Sequence, residues 1–180
     1  MSRTDTLLDA YRRHIALPWP RSAPGAARVV MVVYPPNAER EVRARLPEFR
    51  LVTEQASHPW SAVDLTDAFA NWIAGHPYRD MYFDEPHLLD DAALDRFVDH
   101  VVGLVVVTLR ASASEPEPVV SLTGCGAMYG FAHISRLLHR IDGEVPGRVI
   151  VFFPGEKDAN NYRLLGARDG WNYMAVAITA

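Results

Sequence analysis

Apolar residues are grouped in short, nearly uninterrupted runs at several points of the chain. Residues 28–34 and 148–153 are the clearest cases, because both runs are rich in β-branched and aromatic residues. Runs of this length are typical of strands that are covered on both faces. The predicted strands cover residues 28–34, 60–65, 119–123, 148–153, 162–165 and 173–178.

Between these runs, apolar residues recur at spacings of three and four, which indicates amphipathic helices. The longest such stripe ends at Leu109 and begins after Asp90, which is an expected helix cap. We expect Asn37 to cap the second helix, and Pro47 to break or kink it. The predicted helices cover residues 5–15, 38–46, 67–75, 91–109 and 131–141.

Two stretches leave their structure less defined. Residues 49–52 fit either a helix or a strand, and residues 78–86 are aromatic and acidic and are interpreted as a loop with one helical turn. The helix that follows residues 60–65 is expected to be capped by Thr66 or Asp67.

The order of these elements is mostly strand and helix in alternation. That order predicts an α/β fold in which helices cover both faces of a mostly parallel sheet, in three layers. The last two strands are too close together for a crossover helix, so at least one antiparallel pairing is expected at the sheet edge near the C-terminus. A length of 180 residues favours a single domain over residues 1–180.

A glycine-rich turn, residues 124–130, follows the predicted strand 119–123 and leads into the predicted helix 131–141, which connects to the strand 148–153. In parallel sheets a ligand site usually lies beyond the carboxyl ends of the strands. Gly124, Gly126 and Gly130, with Arg136 on the following helix, are therefore candidates for a phosphate or nucleotide site. The turn is neither a P-loop nor a GxGxxG sequence. A tight strand-to-helix connection is the alternative interpretation.

Cys125 lies inside this turn and is the single cysteine of the chain. A thiol at a helix N-terminus has a lowered pKa, and His133 or His139 could act as its base. A small residue packed under a turn explains Cys125 equally well. One cysteine excludes an internal disulfide and a zinc site of several thiolates.

Two further groups of polar residues have a chemical and a structural interpretation. Asp84, Glu85, His87, Asp90 and Asp91 offer metal ligands, but their spacing matches no known metal loop, and helix capping also accounts for them. The second group, Glu156, Lys157, Asp158, Arg163, Arg168 and Asp169, could hold an acid and a base, or could be turn residues beside the dipeptides Pro154-Gly155 and Asp169-Gly170.

The formal net charge of −4 is unevenly distributed. Residues 51–118 hold three Lys or Arg against twelve Asp or Glu, while both flanking segments are basic. This acidic middle segment argues against a dedicated nucleic-acid binder and fits either a solvated surface or a patch that faces a basic partner. No apolar run is long enough for a membrane helix and the N-terminus lacks a secretion signal, so we expect a cytoplasmic protein.

The C-terminal third of the chain, residues 119–180, resembles the BrxB family, whose members are encoded in BREX bacteriophage-exclusion loci. The segments that carry the resemblance are residues 122–129 (LTGCGAMY), 134–138 (ISRLL), 143–146 (GEVP), 151–155 (VFFPG) and 162–165 (YRLL). The resemblance implies a small cytoplasmic α/β protein without assigned catalytic residues. It also implies partners from the same locus: first a PglZ-type protein, then a BrxC-type ATPase. We also expect no metal and no cofactor.

Two functional hypotheses follow. The first is a non-catalytic adaptor that docks onto larger proteins of an anti-phage defence system, with the acidic middle segment as one candidate docking face. The second is an enzyme that binds a nucleotide or phosphate at residues 124–130, together with Arg136, Glu156 or Arg163.

Overall fold

The computed structural model describes residues 2–20, 22–167 and 170–180. Its centre is a sheet of five parallel strands in the order β2–β3–β4–β1–β7, and a short antiparallel extension, β5 and β6, continues from β4. The strands are β1 (Val29–Tyr34), β2 (Trp60–Asp64), β3 (Val119–Thr123), β4 (Arg148–Asp158), β5 (Asn161–Leu164), β6 (Trp171–Asn172) and β7 (Val176–Thr179).

Helices cover both faces of this sheet, so the predicted three-layer α/β fold is confirmed. Successive side chains of a strand point to opposite faces. Val32 of β1 accordingly packs among residues of α1, α2 and α3, while its neighbour Met31 packs among residues of α4, α6 and α7. The helices are α1 (Arg3–Ile15), α2 (Glu39–Ala44), α3 (Leu46–Gln55), α4 (Ala68–Ala74), α5 (Arg79–Asp84), α6 (Asp91–Ala111) and α7 (Ile134–Ile141).

The helix caps agree with the sequence in some places and not in others. The Asp90 side chain accepts a hydrogen bond from the Ala93 amide at 2.9 Å, as predicted. Asn37 makes no cap, because a short 3-10 turn, Pro36–Ala38, precedes α2. Asp67 occupies the cap position of α4, but its side chain makes no capping hydrogen bond. Ser2 caps α1, so this helix begins at Arg3 rather than at residue 5 as predicted.

The chain between β1 and β2 forms two helices, and the break between them falls at Arg45 rather than at Pro47. Pro47 lies in the first turn of α3, where the missing amide proton costs no intrahelical hydrogen bond. The ambiguous residues 49–52 are helical and direct Phe49 and Val52 into the core. Residues 78–86 contain a complete short helix, α5, instead of a loop with one turn.

The C-terminal region differs most from the prediction. Pro154 and Gly155 do not form a turn: β4 runs straight through them, with Pro154 paired to Tyr34 and Gly155 paired to Leu164. The expected antiparallel pairing exists, but it extends from the carboxyl end of the central strand β4. The last strand, β7, pairs in parallel with β1 at the sheet edge. Asp169, of the second predicted turn dipeptide, lies outside the described residues.

No helix within the described residues combines the length and the apolar character needed to span a bilayer.

Candidate functional site

The carboxyl ends of β1, β2, β3 and β4 meet at one edge of the sheet, as predicted, and a cavity of about 450 Å³ lies there. We call it the carboxyl-edge cavity. Its lining includes Glu39 and Arg43 from α2, Thr66 after β2, and Gly124 and Gly126 after β3. The sequence identified the two glycines but not Glu39 and Arg43, although their spacing of four residues is typical of a helical ion pair.

Arg43 is the cation of this cavity, and it is already bound by groups of the chain itself. It donates hydrogen bonds of 2.7 Å to Asp64 and 2.7 Å to Thr66, and its guanidinium lies 3.8 Å from Glu39. Burial opposes ionisation of Asp64, but the hydrogen bonds from Thr66 and Arg43 outweigh it and lower the pKa of this carboxyl. An incoming anion would therefore compete with two carboxylates for Arg43.

Gly124 has a structural reason to be glycine. Its φ of +71° is in the left-handed region, and a Cβ there would lie 2.5 Å from the Thr66 amide nitrogen. Gly126 is different, because a Cβ would meet Pro154 at 3.6 Å, which is an ordinary van der Waals contact. Gly124 precedes a short 3-10 helix, Cys125–Met128, which contains Gly126. The helix α7 begins only at Ile134, not at residue 131 as predicted.

Gly130 and Arg136 lie in a separate cavity of about 710 Å³, which is bounded by the start of α6, the start of α7 and residues 164–167. Arg136 forms an ion pair with Asp95 of α6. The four candidate residues are therefore divided between two cavities: Gly124 and Gly126 in one, Gly130 and Arg136 in the other. Binding of a nucleotide or phosphate at this turn stays a prediction.

The second candidate group forms an exposed hairpin. Glu156 and Arg163 are directly opposite each other on β4 and β5, and their charged groups are 3.8 Å apart. Such a pair stabilises a hairpin weakly. Arg168 and Asp169 lie outside the described residues.

Cys125 is completely buried beneath the turn, and its Sγ lies 3.9 Å from the carbonyl oxygen of Leu122. Burial, with smaller contributions from Glu39 and Asp64, raises the pKa of the Cys125 thiol well above its ordinary value. Burial and a raised pKa both disfavour the thiolate that a nucleophile needs. The geometry thus favours the packing interpretation.

We expect the Cys125 thiol to be unreactive in the folded protein, because it is both buried and protonated. Titration with a chromogenic disulfide reagent at neutral pH should detect no thiol before unfolding and one thiol per chain in denaturant. Rapid reaction of the folded chain would contradict the packing interpretation.

Among the described residues, no group of three or more His, Cys, Asp or Glu side chains is arranged to hold a metal ion. In the predicted acidic cluster, Asp90 is used as a helix cap, and His87 lies 3.6 Å from Glu85 at the surface.

Part of the acidic middle segment is paired with arginines elsewhere in the chain. Asp95 and Asp99 of α6 face Arg136 and Arg140 of α7, and Asp64 binds Arg43. These pairs join elements that are distant in sequence, so a charge count along the chain overstates the acidic surface.

Acidic charge stays exposed on α5, beside large apolar side chains. Tyr82 is the buried residue of this helix, and it packs in one cluster with Ile73 and Ala93. Phe83 is 67% exposed, Tyr78 60% and Met81 41%. We call the following exposed set the acidic–aromatic face: Tyr78, Asp80, Met81, Phe83, Asp84 and Glu85.

Comparison with known families gives a match to BrxB, described as BREX protein BrxB, over residues 62–178. The match covers more than half of the chain and reaches well upstream of residues 119–180, where the sequence resemblance is clearest. Comparison with curated proteins and with solved structures gave no match. The chain therefore belongs to the BrxB family of BREX proteins, which indicates a role in a BREX anti-phage system.

Proposed function

We propose that the protein is a non-catalytic assembly component of its BREX system, and that it docks onto a PglZ-type protein through the acidic–aromatic face. The observation that carries this proposal is the exposure of Tyr78, Met81 and Phe83 on one short helix and its flank. Aromatic residues and Met are enriched where proteins bind each other, and they supply much of the binding energy.

The charges of the same face favour a basic partner surface. Asp84 has no ion-pair partner among the residues that the structure describes, and Asp80 has only its exposed neighbour Arg79, at 3.2 Å. Carboxylates around an apolar centre form the polar rim of a typical interface, where they accelerate association with a basic surface. A BrxC-type ATPase of the same locus is the second partner we would test.

The protein's polar groups support an assembly role more than a reaction. The thiol is buried and protonated, and the cation of the carboxyl-edge cavity is held by Asp64 and Thr66. The glycines and Arg136 that were candidates for one nucleotide site line different cavities.

The test is a direct binding measurement with the PglZ-type protein encoded in the same locus, using calorimetry or biolayer interferometry. We expect the Tyr78→Ala/Phe83→Ala double variant to weaken binding about a hundredfold, since the loss of two central aromatic contacts together costs about 3 kcal/mol. Leu51→Ala removes an apolar side chain that is 54% exposed on α3, and it should leave the affinity unchanged.

Three outcomes separate the parts of the proposal. If neither the PglZ-type protein nor the BrxC-type ATPase binds, the assembly role is wrong. If a partner binds but the double variant binds equally well, the docking face is wrong and the role stands. If Leu51→Ala also weakens binding, the partner contacts the opposite side of the sheet as well.

A further inference from the structure

A third cavity lies at the opposite edge of the sheet, at the amino ends of the strands, and no part of the proposed function uses it. We call it the amino-edge cavity. Its volume is about 510 Å³, which is within the range of small-molecule sites. Trp19, Arg28, Glu117 and Arg148 contribute to its lining.

The sheet register brings two arginines together at this edge. Arg148 is the first residue of β4, and Arg28 immediately precedes β1. Val29 pairs with Val149 in parallel, so the two arginines start neighbouring strands, which are spaced about 4.8 Å apart. Two like charges held this close repel each other unless a group of opposite charge lies between them.

Arg148 is unusual because it is buried and, among the described residues, has no carboxylate in ion-pair contact. It is 7% exposed, and in the part of the chain that the structure describes no carboxylate lies within 4.0 Å of its guanidinium. Its hydrogen bond to the Gly147 carbonyl is 3.5 Å long and therefore weak. Burial and the charge of Arg28 lower the pKa of Arg148, and the opposing effect of the Glu117 charge is smaller than these two.

The other side chains that line the cavity position Arg148 but do not neutralise its charge. The guanidinium carbon lies 4.7 Å from the centre of the Trp19 ring, and that ring also stacks on the His58 imidazole, with ring centres 3.7 Å apart. The charge of Glu117 acts on Arg148 without an ion pair, since this carboxylate is half exposed and lies 3.7 Å from His58. Arg28 is fixed by its hydrogen bonds to the carbonyls of Ala23 and Val145.

We propose that the amino-edge cavity binds a dianionic oxyanion, the phosphate group of a small molecule, between Arg28 and Arg148. Guanidinium groups bind phosphate oxygens through charge-assisted, often paired hydrogen bonds. Two positive charges match a dianion better than a single carboxylate. The cavity is large enough for a phosphate monoester as well as for free phosphate. This site is separate from the acidic–aromatic face and does not depend on the docking role.

The test is a thermal-shift and calorimetric titration of the full chain with inorganic phosphate, AMP and acetate, with ionic strength held constant by sodium chloride. Phosphate or AMP should bind saturably and raise the melting temperature, since a ligand of the folded state stabilises it. Arg148→Gln should weaken this binding about tenfold or more, because a charge-assisted contact is lost. Arg50→Gln removes the same charge from an exposed pair on α3 and should change nothing.

A second variant keeps the proposal testable if Arg148→Gln does not fold. Glu117→Gln removes the carboxylate that competes with the ligand, and it should strengthen phosphate binding; unchanged or weaker binding would overturn the proposal. Equal responses of Arg148→Gln and the unaltered chain would overturn it too, as would no response to phosphate or AMP. An equal response to acetate would overturn the preference for a dianion. Binding of AMP but not of phosphate would identify an ester as the ligand.

Discussion

Gly124→Ala is expected to lower the free energy of unfolding by about 3 kcal/mol. A left-handed backbone conformation costs a residue with a Cβ about 1–2 kcal/mol. The new methyl group would also lie 2.5 Å from the Thr66 amide nitrogen and 2.6 Å from the Asp64 carboxylate, and such overpacking costs about 1–3 kcal/mol. Chemical denaturation followed by circular dichroism measures the change.

Gly126→Ala is the matched control, two residues along the same turn. Its Cβ would contact the side chains of Pro154 and Leu165 at 3.6 and 3.8 Å, without overlap. We expect the free energy of unfolding to stay the same or to rise by up to about 1 kcal/mol, because alanine restricts the unfolded chain. Equal destabilisation by both substitutions would contradict the structural explanation for Gly124.

Phe152→Ala is expected to be still more destabilising, by about 3–5 kcal/mol. Phe152 is fully buried at the centre of the sheet, and its ring meets Phe49 edge-to-face at 5.1 Å and Trp60 at 6.5 Å. The substitution removes this aromatic packing and leaves a cavity between β4 and α3 that the rigid sheet cannot close. The same denaturation experiment measures it.

Phe83→Ala shows whether the side chain that is substituted in the partner-binding test also contributes to stability. Its ring is 67% exposed on α5, so we expect a change of at most about 0.5 kcal/mol. Stability equal to that of the unaltered chain would allow any loss of partner binding to be attributed to the docking face. A large loss of stability would instead make Phe83 a structural residue and remove the main support for the proposed face.

Local pattern was a sufficient guide to the sheet and to most of its helices. The run at residues 28–34 and the stripe that ends at Leu109 became β1 and α6 because each pattern has the period of its element. The largest error shows what local pattern misses. The dipeptide Pro154-Gly155 locally favours a turn, yet β4 passes through it because Pro154 pairs with β1 and Gly155 with β5. Strand pairing overrode the local preference.

The candidate site also combines a correct prediction from local sequence with an error that tertiary structure explains. The sequence correctly located Gly124 and Gly126 at the carboxyl edge, since every parallel strand ends there. It grouped Gly130 and Arg136 with them on sequence proximity alone. In the folded chain Arg136 instead faces Asp95, 41 residues away, and lines a different cavity.

The sequence by itself determined the fold class and the family, because hydrophobic period and short motifs are properties of neighbouring residues. Only the tertiary structure decided which charges are neutralised and which are not. Asp95 and Asp99 are paired by α7, the carboxylates of α5 stay exposed beside Phe83, and Arg148 is buried next to Arg28 without a carboxylate in the described part of the chain. Charge pairing depends on distances between residues far apart in sequence, and those distances exist only after the sheet has formed.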